Sequence, residues 1–302
     1  MMMARPESAI VSPLNRGALL IAGSIDALVT LGQTLIALVT NTVVLLGQWV
    51  TLLKDCGWAL IQIIRPPWPK PAFQHSLAAT EWIRQTALIG FDSGLIVILI
   101  SSISGVVLSL HAAVQFSQNG ADSYIGALAA MAIVREMGPI FAALTVGARC
   151  GTAMASEIAN MAVTQQVDAL NTFSVNPTRY LVLPRLIAAA ISVPLLTFAA
   201  DISGTVSGML VARMVAHLHF SQFLDSVWRF LTLYDLQVSL AKGLIFGILI
   251  VCIACTQGLN ARGGAQAVGD AATRTAIQIA VAVLVTDFFL TWVWFSGRGL
   301  NQ

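Results

Sequence analysis

Apolar residues run in long unbroken stretches along this chain, and polar positions fall between the stretches instead of alternating with them. A helix crossing a bilayer needs roughly 20 mostly apolar residues. Windows of that length, bounded by charge, proline or glycine-rich turns, predict five spans at about 94–116, 124–148, 186–212, 238–259 and 275–297. The first contains no Asp, Glu, Lys or Arg and is followed by the polar turn cluster SQNGADS at 117–123, so the first two spans form a helical hairpin. Asp201, Lys242 and Asp287 interrupt the third, fourth and fifth. The expected fold is all-α, a polytopic integral membrane protein.

The N-terminal stretch 18–64 is apolar enough to span, yet as one straight helix at about 1.5 Å per residue it far exceeds a bilayer's thickness. Read at helical spacing, a narrow stripe through Asp26, Thr30, Gln33, Ala37, Asn41, Val44, Gln48, Thr51, Asp55, Trp58 and Gln62 is mostly polar, which predicts helix lying in the interface. The competing reading is a sixth span over 28–53. The run RPPWPKP at 65–71 ends whatever precedes it, because successive prolines cannot continue a helix. Residues 1–74 are therefore assigned to a cytoplasmic or interfacial amphipathic region and 75–302 to the membrane domain. The apolar run is too long for a cleaved secretory leader.

Composition agrees: 57% of residues are hydrophobic and 10% charged, well below the quarter that is usual in soluble domains. A net charge of +2, dispersed between apolar runs, argues against a nucleic-acid partner. Lys54, Arg65, Lys70 and Arg84 precede the first span and Arg149, Arg179 and Arg185 flank the connection after the second, which places the N-terminus in the cytoplasm and, with five spans, the C-terminus outside. Arg213, Arg229 and Arg298 fall on the outer side, so the rule holds as a bias. Cys252 and Cys255 form a C-x-x-C inside a span and read as small packing residues; no metal site is expected. The lysines are followed by Asp55, Pro71 and Gly243, which excludes a P-loop, so no catalytic residues are assigned and any ATPase is another subunit.

Ionisable residues at bilayer depth are costly and usually functional. Arg135 and Glu136 stand in the middle of the second span; as neighbours they point about 100° apart and need partners on other helices. Lys242 and Asp287 are the candidates, with Glu136 to Lys242 and Arg135 to Asp287 as one pairing; the alternative role for all four is to pin helix packing. Along the first span, Leu108, His111, Ala112 and Gln115 share one face and form a candidate lipid cavity, or else His111 and Gln115 reach the outer head groups. Gly147/Gly151, Gly204/Gly208 and Gly243/Gly247 foreshadow close helix contacts. The segment 152–170 mixes Met154, Ile158, Met161, Val163 and Val167 with Glu157, Gln165, Gln166 and Asp168, an amphipathic pattern suited to a groove on a partner or to the membrane surface. The aromatic-rich connection 217–234 reads as an aromatic belt or a short interfacial helix.

The block REMGPIFAALTVGARCGTAMASEIANMAVTQQVDALNTFSVNPTRYLVLPR, from Arg135 to Arg185, resembles the signature of the MlaE/YrbE permeases of ABC lipid transporters. ATRTAIQIAVAVLVTDFFLTWVWF, Ala272 to Phe295, resembles that family's last span, and Ser104-Gly105 with Gln115 fits its first; the likeness covers about 75–298. It implies a permease domain over 75–302 with about five spans and an interfacial elbow helix, located in a bacterial inner membrane. Its implied partners are a second copy of the chain, cytoplasmic ATPases that bind the ATP and Mg, a periplasmic MCE-domain lipid carrier and a small STAS-type accessory subunit. The cargo would be a phospholipid or related lipid. Glu157, Gln165 and Asp168 become the ATPase-contact candidates, and the intramembrane polar positions would lie near the lipid path. An ion-coupled secondary transporter acting through Glu136, Asp201 and Asp287, and a non-transporting scaffold, are the rival readings.

Overall fold

A computed structural model describes residues 72–117, 124–173 and 177–296, with isolated positions at 32, 33, 40 and 47. Contacts divide the chain into two units, Met1–Thr51 and Leu52–Gln302, and all the helices that follow belong to the second. The question of an interfacial helix or a sixth span at 18–64 falls outside the described residues.

Helix α1 covers Ala72–Ser117. A second rod is built from α2 (Ile125–Ala132), a π turn (Ile133–Met137), α3 (Gly138–Val146), another π turn (Gly147–Gly151) and α4 (Thr152–Val163). The short α5 (Gln166–Thr172) follows, and a third π turn (Thr178–Val182) leads into α6 (Leu183–Val215). Then come α7 (Phe220–Phe230), α8 (Leu233–Leu259) and α9 (Gly264–Ser296). Five segments are long and apolar enough to cross a membrane: Ile83–Ser117, Ile125–Val163, Tyr180–Val215, Leu233–Leu259 and Gly264–Trp294. Each contains most of one predicted span and most run further at the ends. Hydropathy windows stop at the first charge, such as Asp92, Arg149 or Arg185, whereas a backbone ladder continues through a charge that has a partner or reaches water.

The longest interface joins α1 to α6, and a regular pattern produces it. Gln85, Ile89, Ser93, Val97, Ser101, Gly105, Ser109 and Ala113 recur every fourth residue of α1, and all are buried. Most are small, so the two backbones approach closely, as in membrane helix pairs that lack a hydrophobic driving force. Gly204 and Gly208 of α6 lie against Ser101, Gly105 and Ser109. Serine hydroxyls in the seam donate to carbonyls of the opposite helix, Ser101 Oγ to Ala200 O at 2.5 Å and Ser207 Oγ to Ser102 O at 2.8 Å. The other glycine pairs also sit at contacts: Gly147 and Gly151 against Ile279 of α9, Gly243 and Gly247 against Pro194, Thr197, Ala189 and Val193 of α6.

Helix α4 continues the second rod through a π turn and packs its apolar face on α8 and α9, burying Met154, Ala155, Ile158 and Ala159. The rod breaks at Gln165, whose φ is 60°, and α5 buries none of its residues. The connection 217–234 holds α7, an 11-residue helix that buries Phe223, Ser226 and Val227 against α2 and leaves Trp228 76% exposed. It is thus a helix with one face packed and an aromatic one outside, which is the interfacial arrangement.

Candidate functional site

The deepest polar cluster is assembled by α8. Asp235, Ser239 and Lys242 occupy i, i+4 and i+7 on one face, and all three are buried. Lys242, fully buried, reaches two other spans at once: its Nζ lies 3.0 Å from Glu136 Oε2 and 2.8 Å from Asp287 Oδ1, and it donates to Thr291 Oγ1 at 2.7 Å. The Asp287 contact is one of charge, without the alignment of a hydrogen bond. Thr291 in turn donates to Glu136 Oε1 at 3.0 Å. One ammonium therefore ties the second rod, α8 and α9 together.

A further donation from Lys242, to the Arg135 carbonyl at 2.8 Å, follows from the local sequence. In a regular helix that carbonyl would accept from the N–H four residues on, but position 139 is proline and has none. Pro139 thereby leaves an acceptor inside the membrane that a buried ammonium satisfies. Arg135 and Glu136 sit in the π turn Ile133–Met137, a wide turn of the kind that recurs at functional sites.

In the pairing weighed from sequence as one arrangement among several, the contact of Glu136 with Lys242 is present. The pairing of Arg135 with Asp287 is corrected: Arg135 Nε lies 2.9 Å from Asp235 Oδ1, and Asp287 belongs to Lys242. Both residues of the π turn look towards α8, and Asp235, at its N-terminus, is the carboxylate within reach of Arg135. A local signal for Asp235 was legible in Thr-x-x-Asp at 232–235, a capping box ahead of an apolar run. Asp235 Oδ2 accepts from the Thr232 N–H and hydroxyl, each at 2.8 Å, which leaves Oδ1 for the guanidinium.

Asp201 of α6 extends the cluster. Its Oδ2 accepts from Ser239 Oγ at 2.6 Å, while Oδ1 has no hydrogen-bond partner among the described residues and lies against the α-carbon side of Gly138. A β-carbon at 138 would overlap that oxygen. Gly138→Ala is therefore expected to push Asp201 off Ser239 and destabilise the protein by about 1–3 kcal/mol, read as a lowered midpoint of unfolding in detergent. An unchanged midpoint would show that the carboxylate has room to move.

The cluster is closed on the α8 side and open on the other, where the side chains of Arg135 and Glu136 keep 29% and 31% of their surface accessible. It presents one guanidinium and one carboxylate edge at mid-rod, held by buried partners. Among the described residues no group of three or more His, Cys, Asp or Glu is placed to hold a metal ion.

The other candidates are placed elsewhere. His111 and Gln115 are exposed and Leu108 and Ala112 half-buried; His111 Nδ1 bonds Val107 O of its own helix at 2.8 Å, and Ala112 packs on a small cluster around Ala113, Ile125 and Phe223. This face is the rim of the α1–α6 seam. Elsewhere, a shallow groove of about 590 Å³, open on one side, lies between the middle of α1 and α3, lined by Ile96, Ile100, Phe141 and Leu144 among others. The partner-contact candidates Glu157, Gln165 and Asp168 are all exposed, and Glu157 also receives Arg185 Nη2 at 2.8 Å from the buried start of α6.

A family model described as Permease MlaE matches residues 82–293. The chain belongs to the MlaE permease family. It is 37% identical over 238 residues to a probable ABC transporter permease protein of Rickettsia felis, covering 79% of this chain and 88% of that one. Another probable ABC transporter permease protein, slr1045 of Synechocystis, is 34% identical over 217 residues, 72% of this chain and 82% of that protein. The chloroplast protein TRIGALACTOSYLDIACYLGLYCEROL 1 of Arabidopsis thaliana is 31% identical over 202 residues, 67% of this chain and 58% of that one. A member of this permease family is a membrane subunit of a transporter, and the whole charge cluster, from Arg135 to Thr291, lies inside the matched region.

Proposed function

We propose that this permease moves phospholipid or a related lipid across or out of a bacterial inner membrane, driven by ATP hydrolysed on partner subunits. The observation that carries the reading is the half-open Arg135–Glu136 pair, anchored by Asp235 and Lys242 in an otherwise apolar bundle. Such a pair can meet the phosphate and the donors of a head group while the surrounding rods accept the chains. The name of the Arabidopsis relative, which is that of a galactolipid, points to the same class of cargo.

The full assembly in this reading is a homodimer with its N-termini in the cytoplasm and C-termini in the periplasm. It is docked on ATPases that bind ATP and Mg and delivers to or receives from an MCE-domain carrier, with a STAS-type accessory subunit. In 152–170 the surface offered to the ATPase is α5, which buries none of its residues, together with the exposed polar face of α4 at Glu157 and Asn160, because α4 spends its apolar face inside the chain. Asp168→Lys is expected to leave the unfolding midpoint unchanged, since exposed substitutions stay within about 0.5 kcal/mol, while co-purification of the ATPase falls. Retained association would move the contact elsewhere.

The deciding experiment reconstitutes the co-purified complex in vesicles and follows labelled phospholipid. Movement that requires ATP and persists when ion gradients are collapsed supports the proposal. Movement that follows the ion gradient supports an ion-coupled carrier acting through Glu136, Asp201 and Asp287, and no movement under either condition supports a scaffold.

A further inference from the structure

The open groove between α1 and α3 is apart from the mid-rod cluster. Its walls are apolar, from Ile96 and Ile100 on one side and Phe141 and Leu144 on the other, and it ends at Arg149. Across that end stands Asp92 of α1, with its carboxylate 3.5 Å from Arg149 Nη2; the two side chains are 45% and 43% exposed. Ser93 and Cys150, the next residues on each helix, also meet, at 3.2 Å, and hold the two rods together beneath the charged pair.

The dimensions match one leaflet. From Asp92 to Ile100, and from Arg149 to Phe141, is eight residues of helix on each wall, about 12 Å at 1.5 Å per residue. Half of a hydrocarbon core of roughly 30 Å is close to this. Asp92 and Arg149 stand at the borders of the uncharged stretches 93–116 and 124–134 with 137–148, where a helix meets the head-group layer. The groove therefore runs from head-group level to mid-bilayer on an outer flank of the bundle.

We infer that this groove is a binding site for one zwitterionic aminophospholipid, phosphatidylethanolamine in chemistry, with an acyl chain along Ile96–Ile100 and Phe141–Leu144, its phosphate on Arg149 and its ammonium on Asp92. The head-group selection comes from charge complementarity. Arg149 alone would favour any phosphate, but Asp92 beside it repels a second anion and favours a cation, most strongly one with N–H donors. Ethanolamine supplies that; phosphatidylglycerol supplies neither charge nor donor of that kind, and a trimethylammonium head supplies charge without donors. The inference needs only that the chain sits in a bilayer, so it stands whether or not lipid is the transported cargo.

Native mass spectrometry of the full chain with its co-purified partners tests it, using phosphatidylethanolamine and phosphatidylglycerol with identical acyl chains. The parent protein is expected to retain the ethanolamine lipid about tenfold better, the size of one charge-assisted hydrogen bond. Asp92→Asn reverses the preference, because Arg149 is then free for an anionic head, and Arg149→Gln weakens both lipids by about tenfold. Leu144→Trp, which fills the groove, lowers retention of both without altering their ratio. Asp92 and Arg149 are half exposed, so their variants fold even where the tryptophan does not. An ethanolamine-to-glycerol ratio that Asp92→Asn leaves unchanged overturns the assignment. So does a photocrosslinker at Leu144 that captures a second copy of the chain in place of lipid.

Discussion

Replacing Lys242 by Met is expected to destabilise the protein by about 3–5 kcal/mol, because it strands Glu136 and Asp287 around a buried position and leaves the Arg135 carbonyl without its donor. The loss is greater than that of an ordinary core substitution, because methionine fills the volume but answers none of the four polar contacts. Denaturant titration in detergent micelles reads it directly. The triple change Lys242→Met, Glu136→Gln, Asp287→Asn should recover at least half of the loss, since removing both signs of a buried pair is far cheaper than removing one. If the triple variant folds and assembles but no longer transports, the charges serve transport; if it transports at the parent rate, they serve packing. Parent-like stability of the single variant would mean that the ammonium does not hold the three rods together.

At the α1–α6 seam, Gly105→Ala is expected to cost about 2 kcal/mol in the same titration, although alanine is intrinsically the better helix former by about 1 kcal/mol. The added carbon would overlap the Gly204 carbonyl, which is backbone and cannot swing aside, and would press on Ser207 Oγ at 2.6 Å. Steric displacement of one rod from the other outweighs propensity. Gly269→Ala provides the contrast: nothing lies within 4 Å of the added carbon there, so the same substitution should stabilise by up to about 1 kcal/mol. Equal effects at both positions would refute the close approach.

These contrasts also show why some features were legible in the chain and others were not. The five spans were readable because bilayer thickness imposes a length on apolar runs, and Glu136 and Lys242 were readable as members of one buried network, though not as a chosen pair, because few charges occur at depth. The partner of Arg135 was not, since Asp235 lies at a helix end and looks like an interfacial residue until α8 swings it beside the π turn. The segment 152–170 read as a single amphipathic surface helix. Amphipathicity shows that a face must be covered but not what covers it; α8 and α9 cover the apolar face of its first part, leaving Glu157 and Asn160 on the open side, and α5 buries none of its residues. Likewise the groove between α1 and α3 at Ile96 and Ile100 was not legible, because a void depends on how two rods diverge and not on the residue mixture of either face.

By itself the amino-acid order determines a helical membrane protein with five crossings, the small residues that allow close helix contacts without saying which helices meet, and the presence of costly charges that must find one another. Those are properties of single helices, set by side-chain period and by the energy of leaving water. Tertiary structure alone decided that Lys242 joins Glu136 to Asp287, that Asp235 takes Arg135, and that Asp92 and Arg149 close one end of an apolar groove. Each depends on the rotation and offset of separate rods, which many weak contacts fix together and no local pattern records.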